Sequence, residues 1–390
     1  MNDKGIKLIA VLELLGTNKS LDDVANKYKI SIKTLERWKE IFLSNADIFF
    51  NENKPDSYHK EINETGKVIL DTIDNLKEKL NENKRYEVDT GFKNLNDSTN
   101  GFSKGDLVVV ASRPSIGKSS FVLEIARKAI ERDEAVLFFS FEMKSEQLMS
   151  RLLSSQTSIP LISLRKKDLT ETQWDLLLKN TDELTKKKLF IDDSPYSSID
   201  YIRDKVRKFT LEHPNLSMII LDSLNLISYV NVRENRYERI AEISKALKHL
   251  AREVDLPIIV TANLNRNLES RANKRPLLKD LRDSGTIEDD ADLILFLYRD
   301  DVYREAMEKE REMKLKSEGR EYKNKFKYKP DEDVELIIGK QRNGEIGTVR
   351  LVFQKRFLRF IDYKELEFEC IYVEDDDIDI PNIDLDLPMI

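Results

Sequence analysis

One stretch of thirteen residues, VVVASRPSIGKSS (108–120), constrains the fold of this chain more than any other. A dense apolar run enters a short polar loop, and an amphipathic segment, FVLEIARKAI, leaves it. A buried strand passing through a tight loop into a helix aims backbone N–H groups and the positive end of the helix at one point, which suits phosphate. Lys118 adds a mobile positive charge for the β- and γ-phosphates of a nucleotide, and the Ser119 hydroxyl can ligate Mg²⁺. The expected ATP-binding segment is therefore Arg113, Pro114, Ser115, Ile116, Gly117, Lys118, Ser119 and Ser120. The general phosphate-loop pattern has glycine five residues before Gly117, where this chain has Ser112. An ordinary strand-to-helix turn, the alternative, would leave Lys118 crowded and without a partner.

Such a loop needs a sheet around it, and the following residues supply one. Apolar runs at 107–111, 135–139, 189–191, 218–221, 257–261 and 291–297 predict strands buried on both faces. Amphipathic patterns at 199–211 and 237–254 predict helices between them, giving an α/β fold with a mostly parallel sheet. Further strands are expected at 334–338 and 348–353, with a turn at Gln354–Lys355 and a return over 357–361. The highly charged stretch 303–330 reads as an exposed helix and loop.

The first fifty residues follow another pattern. Helical periodicity covers 6–15, 21–28 and 32–43, with Ser20 and Ser31 where N-caps belong. Residues 51–85 are polar, and Ile62, Val68, Ile69, Ile73, Leu76 and Leu80 mark one amphipathic linker helix. The predicted organisation is a small all-α domain over 1–50, a linker over 51–85, a large α/β domain over 86–373 and an acidic tail over 374–390. That tail, EDDDIDIPNIDLDLPMI, carries seven acidic residues and no basic one, a composition usual for a solvated segment and occasional for a docking peptide.

Composition narrows the function classes. With 40% hydrophobic residues the chain can fill a core, and its single cysteine, Cys370, excludes an internal disulfide framework and a cysteine-rich zinc site. No apolar stretch approaches bilayer-spanning length and no signal-peptide pattern opens the chain, so the expectation is a cytosolic protein without a membrane partner. A net charge of −7 argues against a basic DNA-coating protein.

A bound triphosphate also needs a carboxylate near its metal and one near the attacking water. Asp222, which ends LSMIILD, fits the Mg²⁺ role, with a helix N-cap as the alternative. Glu142, in FFSFEM, stands where a carboxylate could polarise water, with a surface salt bridge as the alternative.

Several long segments, in order, resemble the ATPase domain of DnaB-type replicative helicases. They are VDTGFKNLNDSTNGFSKGDL, ASRPSIGKSSFVLEIARKA, VLFFSFEMKSEQLMSRLLSS, the run from IVTANLNRNLESRANKRPLLKDLRDSG to LILFLYRD, and GKQRNGEIGTVRLVF, together covering residues 86–363. In that family a proline-containing loop without the first glycine is common, which accounts for Ser112. The resemblance implies a RecA-like fold, ATP and Mg²⁺ as cofactors, hexameric assembly, and five-prime to three-prime travel on single-stranded DNA that unwinds duplex. It makes Glu142 the catalytic glutamate and Asp222 the Mg²⁺-associated aspartate. Asn263 falls where the family usually carries a Gln that senses the γ-phosphate, one methylene longer. Lys340 and Arg342 match the pair that reaches a neighbouring subunit's nucleotide, a solvated basic hairpin being the alternative. Arg282 and Gly285 match positions that hold the backbone of single-stranded DNA, and Asp283 replaces the usual Glu. A primase or a loader is a further partner to consider.

The first 85 residues do not resemble that family's longer helical collar. SLDDVANKYKISIKTLERWKEIF resembles instead a helix-turn-helix of the transposase or resolvase sort, with a core of Val24, Ala25, Tyr28, Ile30, Leu35 and Trp38. Lys29 stands at its tight turn in place of glycine. On this reading Lys33 and Arg37 face a DNA major groove; eight basic against seven acidic residues over 1–50 leave a protein contact as the alternative. A helicase carrying such a head suggests a phage, plasmid or other mobile element. Two competing functions keep the ATPase: a RecA-like recombinase, and an initiator or helicase loader in which ATP controls assembly.

Overall fold

The apolar runs form strands whose residues are buried on both faces, as LVVVAS (Leu107–Ser112) shows throughout its length. Alternation then divides the core: Val108 and Val110 join one hydrophobic cluster, while Leu107, Val109 and Ala111 join another on the opposite face. The structure, a computed structural model, describes residues 10, 11, 13–15, 20–44, 65, 69, 86–229, 236–281, 285–324 and 329–363. Contacts divide the chain into two compact units, Met1–Glu82 and Asn83–Ile390. The linker pattern and the acidic tail fall almost wholly outside the described residues, and so do Arg282 and Asp283.

In the first unit, α1 (Leu21–Tyr28) opens on a reciprocal capping box: the Ser20 hydroxyl accepts from Asp23 N–H, and the Asp23 carboxylate accepts from Ser20 N–H. Lys29 closes the helix in the left-handed conformation (φ 55°, ψ 45°), as a tight turn requires, and α2 (Ile32–Ser44) follows. Ala10, Val11, Val24, Ala25 and Leu35 are buried, with Tyr28, Ile30 and Trp38 packed against them. Lys33 and Arg37 are exposed.

The second unit begins with the short α3 (Lys93–Thr99), then β1 (Leu107–Ser112), α4 (Lys118–Glu131) and β2 (Ala135–Ser140). Three helices follow, α5 (Ser145–Thr157), α6 (Leu161–Lys166) and α7 (Glu171–Leu184). The chain continues through β3 (Leu189–Asp192), α8 (Ile199–Glu212), β4 (Leu216–Asp222), α9 (Arg236–Val254) and β5 (Ile258–Asn263). It ends with α10 (Gly285–Asp290), β6 (Leu293–Tyr298), α11 (Asp300–Ser317), β7 (Asp331–Gln341), β8 (Gly347–Gln354) and β9 (Arg359–Asp362).

Among the described residues, nine strands form one sheet in the order β3-β2-β4-β5-β1-β6-β7-β8-β9. The first six are parallel, with helices in the connections between them, and the last three run antiparallel, β7 and β8 joined by a short turn after Gln341. Helices α4 and α5 cover one face and α8 and α9 the other. Register brings the carboxyl ends of four strands level: Ser112 pairs with Asn263, and Ser140 with Asp222. Ligands of open parallel sheets bind at such an edge.

The charged stretch 303–330 is mostly α11, which buries no residue and is lined instead with i,i+4 ion pairs. These are Asp300–Arg304, Glu305–Lys309 and Glu312–Lys316, each adding a few tenths of a kcal/mol to the helix. Among the described residues, no helix is long and apolar enough to cross a membrane.

Candidate phosphate-binding site

The loop between β1 and α4 is held in a conformation open to few residues. Ser115 sits at φ +67° and Gly117 at φ +117°, the second in a region where a Cβ is strained. A side chain at Gly117 would also stand 3.1 Å from Phe360 Cζ, so glycine is required twice over. Among the described residues no side chain caps the N-terminus of α4, which leaves the first-turn N–H groups to whatever occupies the loop.

A cleft of about 640 Å³ opens at this loop, the size of a small-molecule site. Pro114, Ser115, Gly117, Lys118, Ser119 and Ser120 form its floor. Glu142 and Met143 come from the segment after β2, Asn263 from the end of β5, and Arg151 from α5. Arg299, Phe353, Lys355 and Leu358 close the side formed by the antiparallel strands.

Three charged groups in or beside this cleft are under-satisfied. Lys118 is 8% exposed, and its Nζ lies 3.4 Å from Ser112 O and 3.5 Å from Ser112 Oγ, at the long limit of a hydrogen bond. Burial pushes its pKa down to about 8, with Arg113 adding to the fall, against the pull of the Asp222 and Glu142 carboxylates. Asp222 is fully buried at the end of β4; Thr261 Oγ1 donates to its Oδ1 at 2.5 Å, while its Oδ2 has no hydrogen-bond partner among the described residues. Arg151 Nε is likewise buried without one, and burial together with Arg165 lowers the pKa of that guanidinium. Two cations and a carboxylate oxygen left short of protein partners are expensive and are what a metal-bound polyphosphate would satisfy. The free Asp222 Oδ2 and the partly buried Ser119 hydroxyl form a hard oxygen donor set that fits Mg²⁺.

The remaining residues singled out from sequence fall in several places. Ile116 is 1% exposed and belongs to the core, so only its backbone serves the loop. Arg113 faces away from the cleft floor, donating from Nε to Glu269 at 2.7 Å and from Nη1 to Leu264 O at 2.8 Å. The backbone N–H of Asn263 is fixed by Asn225 Oδ1 at 3.1 Å. Gly285 is exposed at the start of α10.

Lys340 and Arg342 do not line the cleft. In the β6–β7 register Lys340 stands opposite Ile294 and Gln341 opposite Leu293, at the end of β6 remote from the phosphate loop. A six-residue strand spans roughly 17–20 Å, which keeps both cations from their own chain's cleft. Lys340 Nζ donates to the carbonyls of Glu288 and Ala291, and Arg342 to that of Asp289, so the pair caps the end of α10. Arg342 Nη1 also lies 3.3 Å from Asp292 Oδ1.

Sequence reading missed Arg151, Arg299, Lys355 and Phe353. Arg151 stands among the apolar positions of LMSRLL and Arg299 ends the apolar run LILFLY, and a cation in such a place is a signal. Lys355 and Phe353 carry no local sign, because it is the pairing of β8 with β7 that sets them beside Glu332 and Arg299.

Comparison with known proteins agrees with this geometry. Residues 87–362 match the model of the DnaB-like helicase C-terminal domain. The replicative DNA helicase DnaB of Helicobacter pylori (strain 26695) is 40% identical over 313 residues, covering 75% of this chain and 64% of that protein. The replicative DNA helicase DnaC of Bacillus subtilis (strain 168) is 39% identical over 298 residues, covering 76% of this chain and 61% of that protein. The chain thus spans just under two thirds of the length of these relatives. Among solved structures, one isolated ATPase domain superposes with a TM-score of 0.68 at 30% identity, over 78% of this chain and all of that one. A DnaB-like replicative helicase, described with its interactions with primase, gives a TM-score of 0.67 at 26% identity over 90% of each chain. With its RecA-like sheet, its phosphate loop and a match over residues 87–362, this chain belongs to the family of the DnaB-like helicase C-terminal domain.

Proposed function

We propose that this chain is an ATP-driven DNA helicase that works as a ring, most simply a hexamer, travelling on single-stranded DNA. The observation that carries this is the trio of under-satisfied charges at the phosphate loop, Lys118, Arg151 and the Oδ2 of Asp222. In this reading the loop N–H groups and Lys118 bind the β- and γ-phosphates of ATP, and Ser119 and Asp222 hold Mg²⁺. The ion supplies charge neutralisation at the phosphates when bound. Glu142, exposed at the mouth of the cleft, takes the proton of the attacking water, and Asn263 contacts the γ-phosphate.

The place of Lys340 and Arg342 supports a role in trans, since neither reaches its own cleft and Arg342 keeps 45% of its side chain exposed. Arg342 then stabilises charge on a neighbour's phosphoryl group, an effect typically worth ~10³ to 10⁵ in rate. Arg282, Asp283 and Gly285 hold the DNA backbone, which makes binding salt-dependent and indifferent to sequence. The helical head uses Lys33 and Arg37 on duplex DNA, as a helicase of a phage, plasmid or other mobile element would. Primase or a loader is a further partner.

ATP hydrolysis measured with and without single-stranded DNA tests the nucleotide site. The unmodified chain is expected to hydrolyse ATP faster with DNA, Lys118→Ala to lose nucleotide binding, and Glu142→Gln to bind ATP while hydrolysing it at least about a hundredfold more slowly. Undiminished hydrolysis by Glu142→Gln would remove Glu142 from its role.

A further inference from the structure

Beneath the phosphate loop lies a buried ion network to which the reading above gives no part. Arg299, just past β6, is 6% exposed, and Glu332, in β7, is 1% exposed. Arg299 Nε donates to Glu332 Oε2 at 2.6 Å, and Nη2 donates to the same oxygen. The remaining nitrogen, Nη1, turns to the loop, donating to Ile116 O at 2.9 Å and to Ser115 O at 3.4 Å. The guanidinium carbon lies 4.4 Å from the centre of the Phe353 ring, which fixes the plane of the fork. Glu332 Oε1 in turn pairs with Lys355, which lines the same side of the cleft.

We infer that Arg299, held by Glu332, is the positioning residue that sets the phosphate loop in its binding conformation. A loop with Ser115 at φ +67° needs something to hold it there, and the carbonyls beside that residue are the ones Arg299 grips. A trans peptide directs its C=O and N–H to opposite sides. Pinning the Ile116 carbonyl on Arg299 therefore turns the Gly117 N–H the other way, and Gly117 lines the cleft. Glu332 completes the device by bridging two cations of the cleft lining, Arg299 under the loop and Lys355 just past β8, so one buried carboxylate fixes both. A lysine could not replace Arg299, because one ammonium cannot offer a planar fork to a carboxylate and a carbonyl together.

This rests on the cleft binding a nucleoside triphosphate, and the test separates the two. The probes are ATPγS for equilibrium binding and ATP for steady-state hydrolysis, on the full chain. Arg299→Gln is expected to raise the Kd for ATPγS and the KM for ATP about tenfold or more, with kcat changed far less, because loop N–H groups hold ground and transition states alike. Arg299→Lys is expected not to rescue either constant. Should Arg299→Gln fail to fold because the buried Glu332 carboxylate keeps only Lys355 as its partner, the double variant Arg299→Gln with Glu332→Gln removes both charges and is expected to show the same rise in Kd and KM. Wild-type Kd and KM in a folded variant, with its melting temperature alone lowered, would overturn the clamp and leave the nucleotide site standing. No ATPγS binding by the unmodified chain would overturn both.

Discussion

Burial lowers the pKa of the Lys118 ammonium to about 8, against 10.5 for a solvated lysine. Between those values the folded protein carries fewer protons than the unfolded chain, so this residue makes stability rise with pH across that window. A bound polyphosphate does the opposite, since it requires the charged form. Nucleotide affinity is therefore expected to fall as pH rises above about 8, by up to about tenfold per unit. Isothermal titration between pH 7.5 and 9.5 measures this, with Lys118→Arg as the comparison, which stays charged and is expected to bind more weakly but without the slope. A flat profile for the unmodified chain would mean that Lys118 does not contact the phosphate. At this scale the site was partly legible. Lys118, Ser119, Asp222 and Glu142 stand at strand ends and loop positions that local pattern marks. Arg151 and Arg299 reach the cleft from a helix face and a later strand, and only packing across the sheet joins them to it. Lys340 and Arg342 are visible as a basic hairpin, but the register that sets them at the far end of β6 is a tertiary fact.

At the level of elements, the strands and the two helices over β4 and β5 were read from uninterrupted apolar runs and 3.6-residue periodicity. Their ends moved by a few residues, outward where the β7–β8 hairpin lengthens pairing to Asp331–Gln341. Helix α7 carries no clear sequence signature. It buries no residue and leaves Trp174 and Leu178 half exposed, so its pattern lacks the contrast of a core-facing helix. The turn of the helical head was legible down to one residue: Lys29 occupies the left-handed position that glycine fills at no cost. Lys29→Gly is expected to stabilise the head by about 1 kcal/mol, and Lys29→Val to destabilise it. Urea denaturation followed through Trp38 fluorescence, in a Trp174→Phe background, reads that difference. A lower midpoint for the glycine variant would contradict the turn geometry.

For the whole molecule, one sheet sets the two groups of proposed functional residues at opposite ends of its strands. The carboxyl ends of β1, β2, β4 and β5 present the phosphate site, while Lys340 and Arg342 lie at the other end of the strands, tied to α10. In the proposed reading this separation keeps Arg342 from its own chain's nucleotide, and assembly into a ring would bring the cation of a neighbour to it. If Arg282 and Asp283 hold DNA as proposed, α10, which begins two residues after Asp283, would join that segment to the cation. The measurement that tests this account most directly is displacement of a labelled strand from a forked duplex in the presence of ATP. The unmodified chain is expected to displace it, while Glu142→Gln and Arg342→Ala bind the fork and leave it intact. A chain that hydrolyses ATP on single-stranded DNA but never separates the fork, or an Arg342→Ala variant that separates it at the normal rate, would contradict it.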